Sequence, residues 1–303
     1  MQVGDFGSVA LAQRLRTTGI HLDSGAFTTH LNIQLPHLAA EFAEIYDRYR
    51  VDEPPAIDNF HVRVASPSLL RRYFRPQVQH WVDGVDMMEP LPLDHAFPFL
   101  ESALNLAIAT DDLGPLVVHS AMLERDGRAL VMPAPSGSGK STLCAALSWR
   151  GWRLMSDEIT VFCFESGGLR ANPRPVSLKN RSVDVIAAFE PRARFTRVYR
   201  DTTKGDLAYM KPPDEAVARA SEGAGPGLLV APVYRAGAPA TLRKMDRVEG
   251  LRGLIDNAVN YSSLLRTGFD LLTHFVERSR LYSLTYSNLD EAIALINQAH
   301  EAH

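Results

Sequence analysis

The stretch Leu130 to Leu143, LVMPAPSGSGKSTL, constrains this chain more than any other. An apolar run ends in a glycine- and serine-rich loop, and the loop ends in Gly139, Lys140, Ser141 and Thr142. The pattern Gly-x-x-x-x-Gly-Lys-Ser/Thr binds phosphate when a strand precedes it and a helix follows. Successive backbone N–H groups and the positive end of the helix then face one anion. Ser136, Gly137, Ser138 and Gly139 are small enough to let the backbone approach. Lys140 is placed to reach β- and γ-phosphates, the Ser141 hydroxyl to hold Mg²⁺, and Pro135 through Thr142 to form the cradle. The pattern departs at its first place, where Ala134 replaces the usual glycine. One methyl group is tolerable there if φ is negative and costly if φ is positive.

The flanking residues supply the required context. LVVHSAML and RALVMPA read as two strands joined by ERDGR, whose Asp126-Gly127 is a strong hairpin signal. STLCAALSWRG reads as a helix with Leu143, Ala146 and Leu147 on one face and Gly151 as its C-cap. WRLM is a short buried strand, ITVFCF is another β-rich run, and Asp157-Glu158 lie between them, 17 and 18 positions after Lys140. That spacing predicts the doublet at the carboxyl end of the strand neighbouring the loop strand, where an α/β core places a metal-binding or proton-accepting carboxylate. Phosphoryl transfer to a hydroxyl needs one group to orient or deprotonate the acceptor and another to hold Mg²⁺. Two adjacent acids can divide those roles, and spacing leaves open which takes which. His119, on the first hairpin strand, is expected beside the loop strand and is an active-site candidate. Lys179 and Lys204 sit in polar loops from which a cation can clamp phosphate. Cys144 and Cys163 read as small core residues.

The remainder reads as mixed α/β. Phe27–Leu35, NFHVRVAS and VQHWVDG are strands, Pro36 opens a helix, and Asp94 is positioned to cap a helix carrying Phe97, Leu100, Leu104 and Ile108. No catalytic cluster stands out in the first 110 residues or so. Their basic patch is SLLRRYFRP, Ser68 to Pro76, a solvated face or a docking surface for an acidic partner. RDTTKGDLAYMKPP reads as a surface loop and SEGAGPG as the most flexible stretch. Leu251, Leu254, Ile255, Ala258 and Val259 mark one late helix, Leu265, Phe269, Leu272 and Val276 another. Asn288 with Glu291 makes a capping box for the last helix.

Composition narrows the classes. Apolar residues are 46%, enough for a packed core, and the net charge of −3 gives no electrostatic reason for a nucleic-acid partner. No apolar run is long enough to span a bilayer, and MQVGDFGSVA has neither the basic start nor the apolar core of a secretion signal. Two cysteines without a C-x-x-C do not make a disulfide framework. The expectation is a reduced, soluble, cytoplasmic protein without membrane partners. The L-S-G-G-Q signature of transport ATPases and the N-K-x-D of GTPases are absent.

Val117 through Phe162 resembles the catalytic core of bacterial HPr kinase/phosphorylase in its upstream histidine, its hairpin feeding the loop, its RGWRL and its acidic doublet. Through RPVSLKN, DTTKGDLAYMKPP and LYSLTYSNLDEA, nearly the whole chain is similar to the HPr kinase-related kinase A group. The resemblance implies an α/β fold with a P-loop kinase core of the HPr kinase/PEP carboxykinase type (residues 113–303) behind an N-terminal mixed α/β extension (residues 1–112). It implies ATP and Mg²⁺ as cofactors and phosphorylation of a serine hydroxyl on a peptide or small protein. Glu158 falls on the family's proton acceptor, with Asp157 beside it near the metal. A homo-oligomer and a small peptide-chaperone partner are implied likewise. The chain departs from the family where the doublet's second acid is Glu rather than Asp. It departs again where Ser177, Lys179 and Asn180 replace an acidic metal ligand, an arginine and a glycine. Those departures motivate the alternatives of a non-catalytic nucleotide switch and of a small-molecule kinase.

Overall fold

The structure, a computed structural model, describes residues 1–52, 58–111 and 114–302, so the expected division at 112/113 falls outside the described residues. The first strands are β1 (Ile20–Asp23), β2 (Thr28–Ile33), β3 (Arg50–Asp52), β4 (Phe60–Ala65), β5 (Gln77–Val82) and β6 (Leu91–Pro92). They form one sheet in the order β3-β1-β2-β4-β5-β6. Period-two alternation sets its faces. Ile20, Leu22, Leu31, Ile33, Phe60, Val62 and Val64 are buried, and the residues between them face outward. The helices here are α1 (Ser8–Arg16), α2 (Pro36–Ile45), α3 (Leu69–Tyr73) and α4 (Ala96–Ala109). Pro36 opens α2 at its first turn, where a missing N–H costs nothing. Asp94 does not cap α4. A 3-10 turn over Leu93–His95 intervenes, and His95 occupies the cap position without a side-chain bond.

The second sheet carries the loop of interest. Its strands are β7 (Leu116–Arg125), β8 (Arg128–Pro133), β9 (Arg153–Ser156), β10 (Ile159–Phe162) and β11 (Leu169–Arg170), joined by the later strands β15 (Gly225–Tyr234), β16 (Thr241–Lys244) and β17 (Arg280–Tyr286). The order is β11-β10-β7-β8-β15-β17-β16, with β9 also paired to β7. The β7–β8 hairpin turns at Asp126 and Gly127, both with positive φ, as a tight hairpin turn requires. Between β8 and β9 runs α5 (Lys140–Ser148), whose buried Leu143, Cys144, Ala145, Ala146 and Leu147 pack on the sheet. The C-cap of α5 is Trp149; Gly151, with positive φ, lies two residues beyond it.

A third sheet contains β12 (Val176–Lys179), β13 (Tyr199–Thr202) and β14 (Gly205–Met210), in the order β12-β14-β13. The segment expected as a surface loop is therefore a hairpin. Its polar tip, Thr203-Lys204, is the turn, while Leu207, Ala208, Tyr209 and Met210 are buried. SEGAGPG is likewise not all loop, since β15 starts at Gly225. A Cβ on Gly227 would meet Ala129 O at 2.7 Å, so the glycine permits close backbone approach. The remaining helices are α6 (Arg181–Phe189), α7 (Asp214–Ala218), α8 (Arg247–Ile255), α9 (Tyr261–Glu277) and α10 (Leu289–Glu301). Ala258 and Val259 fall outside α8. Leu265 (φ 43°) kinks α9 and shifts its phase. Leu265 and Phe269 consequently face solvent, and Leu271, Leu272, Phe275 and Val276 form the buried side. At α10 half of the expected capping box forms. Asn288 accepts from Glu291 N, while the Glu291 carboxylate accepts from Ala240 N instead.

Candidate functional site

The site sits where β7 changes partners. From Ser120 to Arg125, β7 pairs with β8, and the last pair is Ser120 with Pro133. There β8 leaves the ladder to become the glycine loop. Residues 257–259 take its place, with His119 N donating to Asn257 O and Val259 N to Val117 O. The opposite edge of β7 is a single antiparallel ladder interrupted in its middle. β9 pairs over Met122–Glu124 and β10 over Leu116–His119. Asp157 and Glu158 occupy the break between them, and Ser156 Oγ accepts from Ile159 N across it. The doublet follows the carboxyl end of β9 as expected, but β9 does not neighbour β8, because β7 lies between them. The His119–Ser120 segment of β7 thus has the loop on one side and the doublet on the other.

Loop geometry answers the question posed by Ala134. Positive φ occurs at Gly137 (86°) and Gly139 (88°) and not at Ala134, so the missing glycine carries no backbone penalty. Ala134 itself is buried. The loop is pinned from the far side by the carboxyl ends of two parallel strands. Tyr234 N donates to Ser138 O at 2.9 Å, and Tyr286 Oη donates to Gly139 O at 2.9 Å. The hydroxyl of Thr142 bonds that of Ser182 at 2.8 Å and ties α5 to α6. The Ser138 hydroxyl is buried without a hydrogen-bond partner.

Lys140 is the first residue of α5 and is buried. Its ammonium lies 2.8 Å from His119 Nε2, and His119 Nδ1 lies 3.4 Å from Glu158 Oε2. An ammonium can only donate, so Nε2 accepts and the imidazole proton sits on Nδ1, facing the carboxylate. Burial lowers the Lys140 pKa against the pull of Asp157 and Glu158. Burial, then the nearby Lys140, lowers that of His119 and keeps its ring neutral. Asp157 is pushed up to about 7, by burial first and by Glu158 second. Its Oδ2 accepts from Ser177 N at 3.1 Å; its Oδ1 is buried with no hydrogen-bond partner. The nearby Lys140 ammonium and Ser141 hydroxyl work the other way and favour its charged form.

The two other lysines divide. Lys179 ends β12, and its ammonium is 3.5 Å from Ser136 Oγ, over the loop. Lys204 occupies the exposed β13–β14 turn and lines the small cavity beside Asp157 and Glu158. Cys144 is a buried core residue, as expected. Cys163 is only half-buried and donates to Glu165 Oε2. Among the described residues no group of three His, Cys, Asp or Glu side chains is arranged to hold a metal.

Sequence reasoning missed the wall of that cavity. Arg174 bonds Glu101 Oε2 at 2.5 Å and Asn105 Oδ1 at 2.7 Å, and Glu101 also accepts from Tyr46 Oη. Glu101 and Asn105 come from α4, in the part of the chain where no cluster was expected. The signal the sequence offered was an arginine held between two prolines, Pro173 and Pro175.

Residues 99–182, which span the loop and the doublet, match the family described as SynChlorMet cassette protein ScmC; the matched stretch is less than half of the chain. No curated protein matches the chain at a significant level. A solved structure described as the Hpr(Ser) kinase/phosphatase from Coxiella burnetii is similar over 62% of this chain and 95% of its own, at 14% identity and a TM-score of 0.29. That likeness is too distant to carry residue roles from one chain to the other. The chain has a mixed α/β fold with several sheets, and no described helix is long and apolar enough to cross a membrane.

Proposed function

We propose that this chain is an ATP-dependent phosphotransferase that moves the γ-phosphate onto a hydroxyl, the serine of a peptide or small protein. One arrangement carries the reading: a lysine at a glycine loop–helix junction, linked through His119 to one carboxylate of a doublet whose other member is buried. A structural ion pair does not need a glycine loop aimed at it, and a solvated turn would not hold a carboxylate as deeply as Asp157.

In this reading the loop N–H groups and the α5 N-terminus receive the phosphates, and Lys140 leaves His119 for the transferring group. Asp157 and Ser141 would hold Mg²⁺. The fit rests on Asp157 Oδ1, a buried oxygen with no hydrogen-bond partner, beside a hydroxyl of the right kind. The ion would neutralise phosphate charge. Glu158 takes the proton of the acceptor hydroxyl as its oxygen bonds to the γ-phosphorus and the bond to the β–γ bridging oxygen breaks. His119 Nδ1–H holds Glu158 in position for that transfer. Lys179 and Lys204 stand where cations can meet phosphate or acceptor.

The test is transfer from γ-labelled Mg-ATP into host lysate and its small-molecule fraction, for the wild type, Lys140→Ala and Glu158→Gln. The expected result is a labelled peptide or protein seen with wild type alone, with Glu158→Gln slowed by about 10²–10⁴. Nucleotide binding with no labelled product in any fraction would overturn the reading.

A further inference from the structure

We propose that Asn180 is a positioning residue: it holds the β13–β14 turn so that Lys204 meets the γ-phosphate beside the acidic doublet. The proposal rests on the kinase reading and names how one cation of that site is placed.

Asn180 stands in a backbone conformation that few residues adopt, with φ 51° and ψ −128°. Glycine takes that conformation freely, and a side chain there is strained and persists only where its surroundings fix it. What fixes it is Asp206. Asn180 N donates to Asp206 O at 2.7 Å, and Asp206 N donates back to Asn180 Oδ1 at 3.1 Å. Asn180 occupies the cap position of α6, yet its side chain caps nothing there. The amide is turned to the hairpin instead. Gly205 makes room for it, since a Cβ there would meet Asn180 Oδ1 at 2.7 Å.

The β12–β14 ladder ends at the pair Lys179–Leu207. The two Asn180 bonds carry the connection one step further, onto the base of the turn. The turn is tied internally: Thr202 Oγ1 donates to Gly205 O and accepts from Lys204 N, and Asp206 Oδ1 accepts from Asp201 N. It therefore moves as one piece. Its outer strand is anchored elsewhere, where His95 Nε2 donates to Arg200 O. Of the described bonds, those of Asn180 are the ones that tie the base of the turn to the end of β12. Lys204 lies on this turn and lines the cavity that Asp157, Glu158 and Ser177 also border. An ammonium on that wall can pair with a γ-phosphate arriving from the glycine loop. Lys179 is inside the ladder and needs no such support.

The test is calorimetric titration of two nucleotides into the full chain: Mg-AMPPNP, which carries a γ-phosphate, and Mg-ADP, which does not. The proteins are wild type, Asn180→Gly, Lys204→Ala and the double variant. Glycine suits the backbone at position 180, so Asn180→Gly removes the amide without adding strain and should still melt cooperatively. It should weaken Mg-AMPPNP binding about tenfold and leave Mg-ADP binding unchanged. Lys204→Ala should do the same, and the double variant should bind no more weakly than Lys204→Ala alone, because Asn180 acts through that lysine. A merely structural role would weaken both nucleotides and give additive losses. Wild-type affinity for Mg-AMPPNP in a cooperatively melting Asn180→Gly, or additive losses in the double variant, would overturn the proposal and leave the kinase reading standing. A wild type that binds neither nucleotide would overturn both.

Discussion

A carboxylate buried as deeply as Asp157 is costly to keep charged, and the sign of that cost is measurable. Its folded pKa of about 7 stands above the ordinary 3.8 of the unfolded chain. Below the lower value both states hold the proton and the group is neutral for stability. As pH rises from there to about 7, the unfolded chain ionises while the folded one retains its proton, so stability falls. Above that window the full penalty applies. Asp157→Asn should therefore melt at a higher temperature than wild type at pH 8, with the gap closing toward pH 4, while losing phosphate transfer. Mg²⁺ should raise the wild-type melting temperature and leave the variant's unchanged, a readout independent of turnover. Equal melting curves at pH 8 would mean that Asp157 is not the strained group described here. The residues of this site were legible in sequence because each belongs to a local pattern. His119, Lys140 and the doublet lie within forty positions of one another. Arg174 and Glu101 were not, because a buried ion pair between residues 73 positions apart leaves no periodic trace.

At the scale of elements, the loop depends on strands that follow it by nearly a hundred residues or more. Gly139 has φ of 88°, and a Cβ there would meet Tyr234 Cβ at 2.9 Å and also the Tyr286 hydroxyl. Gly139→Ala combines a left-handed backbone with contact against two tyrosines that themselves hold the loop. It should cost about 1–3 kcal/mol of stability and weaken nucleotide binding more than that, since the loop moves off its anchors. Gly137 has nothing within 4 Å of its would-be Cβ, so Gly137→Ala should show the backbone term alone. Thermal melts and nucleotide titration on the pair separate the two; equal losses would show that the tyrosine anchors are irrelevant. Hairpin chemistry was readable at Asp126-Gly127 because a strong turn dipeptide stands between two largely apolar runs. It was missed at residues 199–210, where the whole segment reads as a loop, because the first strand, YRDT, presents charges outward and a polar tip follows. The phase of α9 was misread for a different reason: a kink at Leu265 leaves no trace in spacing that assumes a continuous helix.

Across the whole molecule, the N-terminal elements are built into the site rather than hung beside it. One apolar cluster joins Phe42, Tyr46 and Phe97 to Val117 and Ile159, from the strands that carry His119 and border the doublet, and to Tyr199 and Tyr209 of the third sheet. Tyr49 Oη donates to Pro173 O, Ala26 N to Ala171 O, and Lys211 pairs with Asp47. The Arg174–Glu101 pair closes the same seam beside Asp157, with both side chains almost wholly withdrawn from water. Removing one member strands the other as an unpaired buried charge, so Arg174→Met should lower stability by about 3–5 kcal/mol. The double change Arg174→Met, Glu101→Leu should recover most of that loss, because no bare charge remains. A shared core also predicts one cooperative unfolding transition for the full chain. It predicts that a fragment starting at residue 113 exposes Val117, Ile159 and Tyr209 and fails to fold alone. Calorimetry decides: two resolved transitions, or a soluble and cooperatively melting fragment, would establish that the N-terminal elements are an independent unit and that their contacts beside Asp157 are incidental.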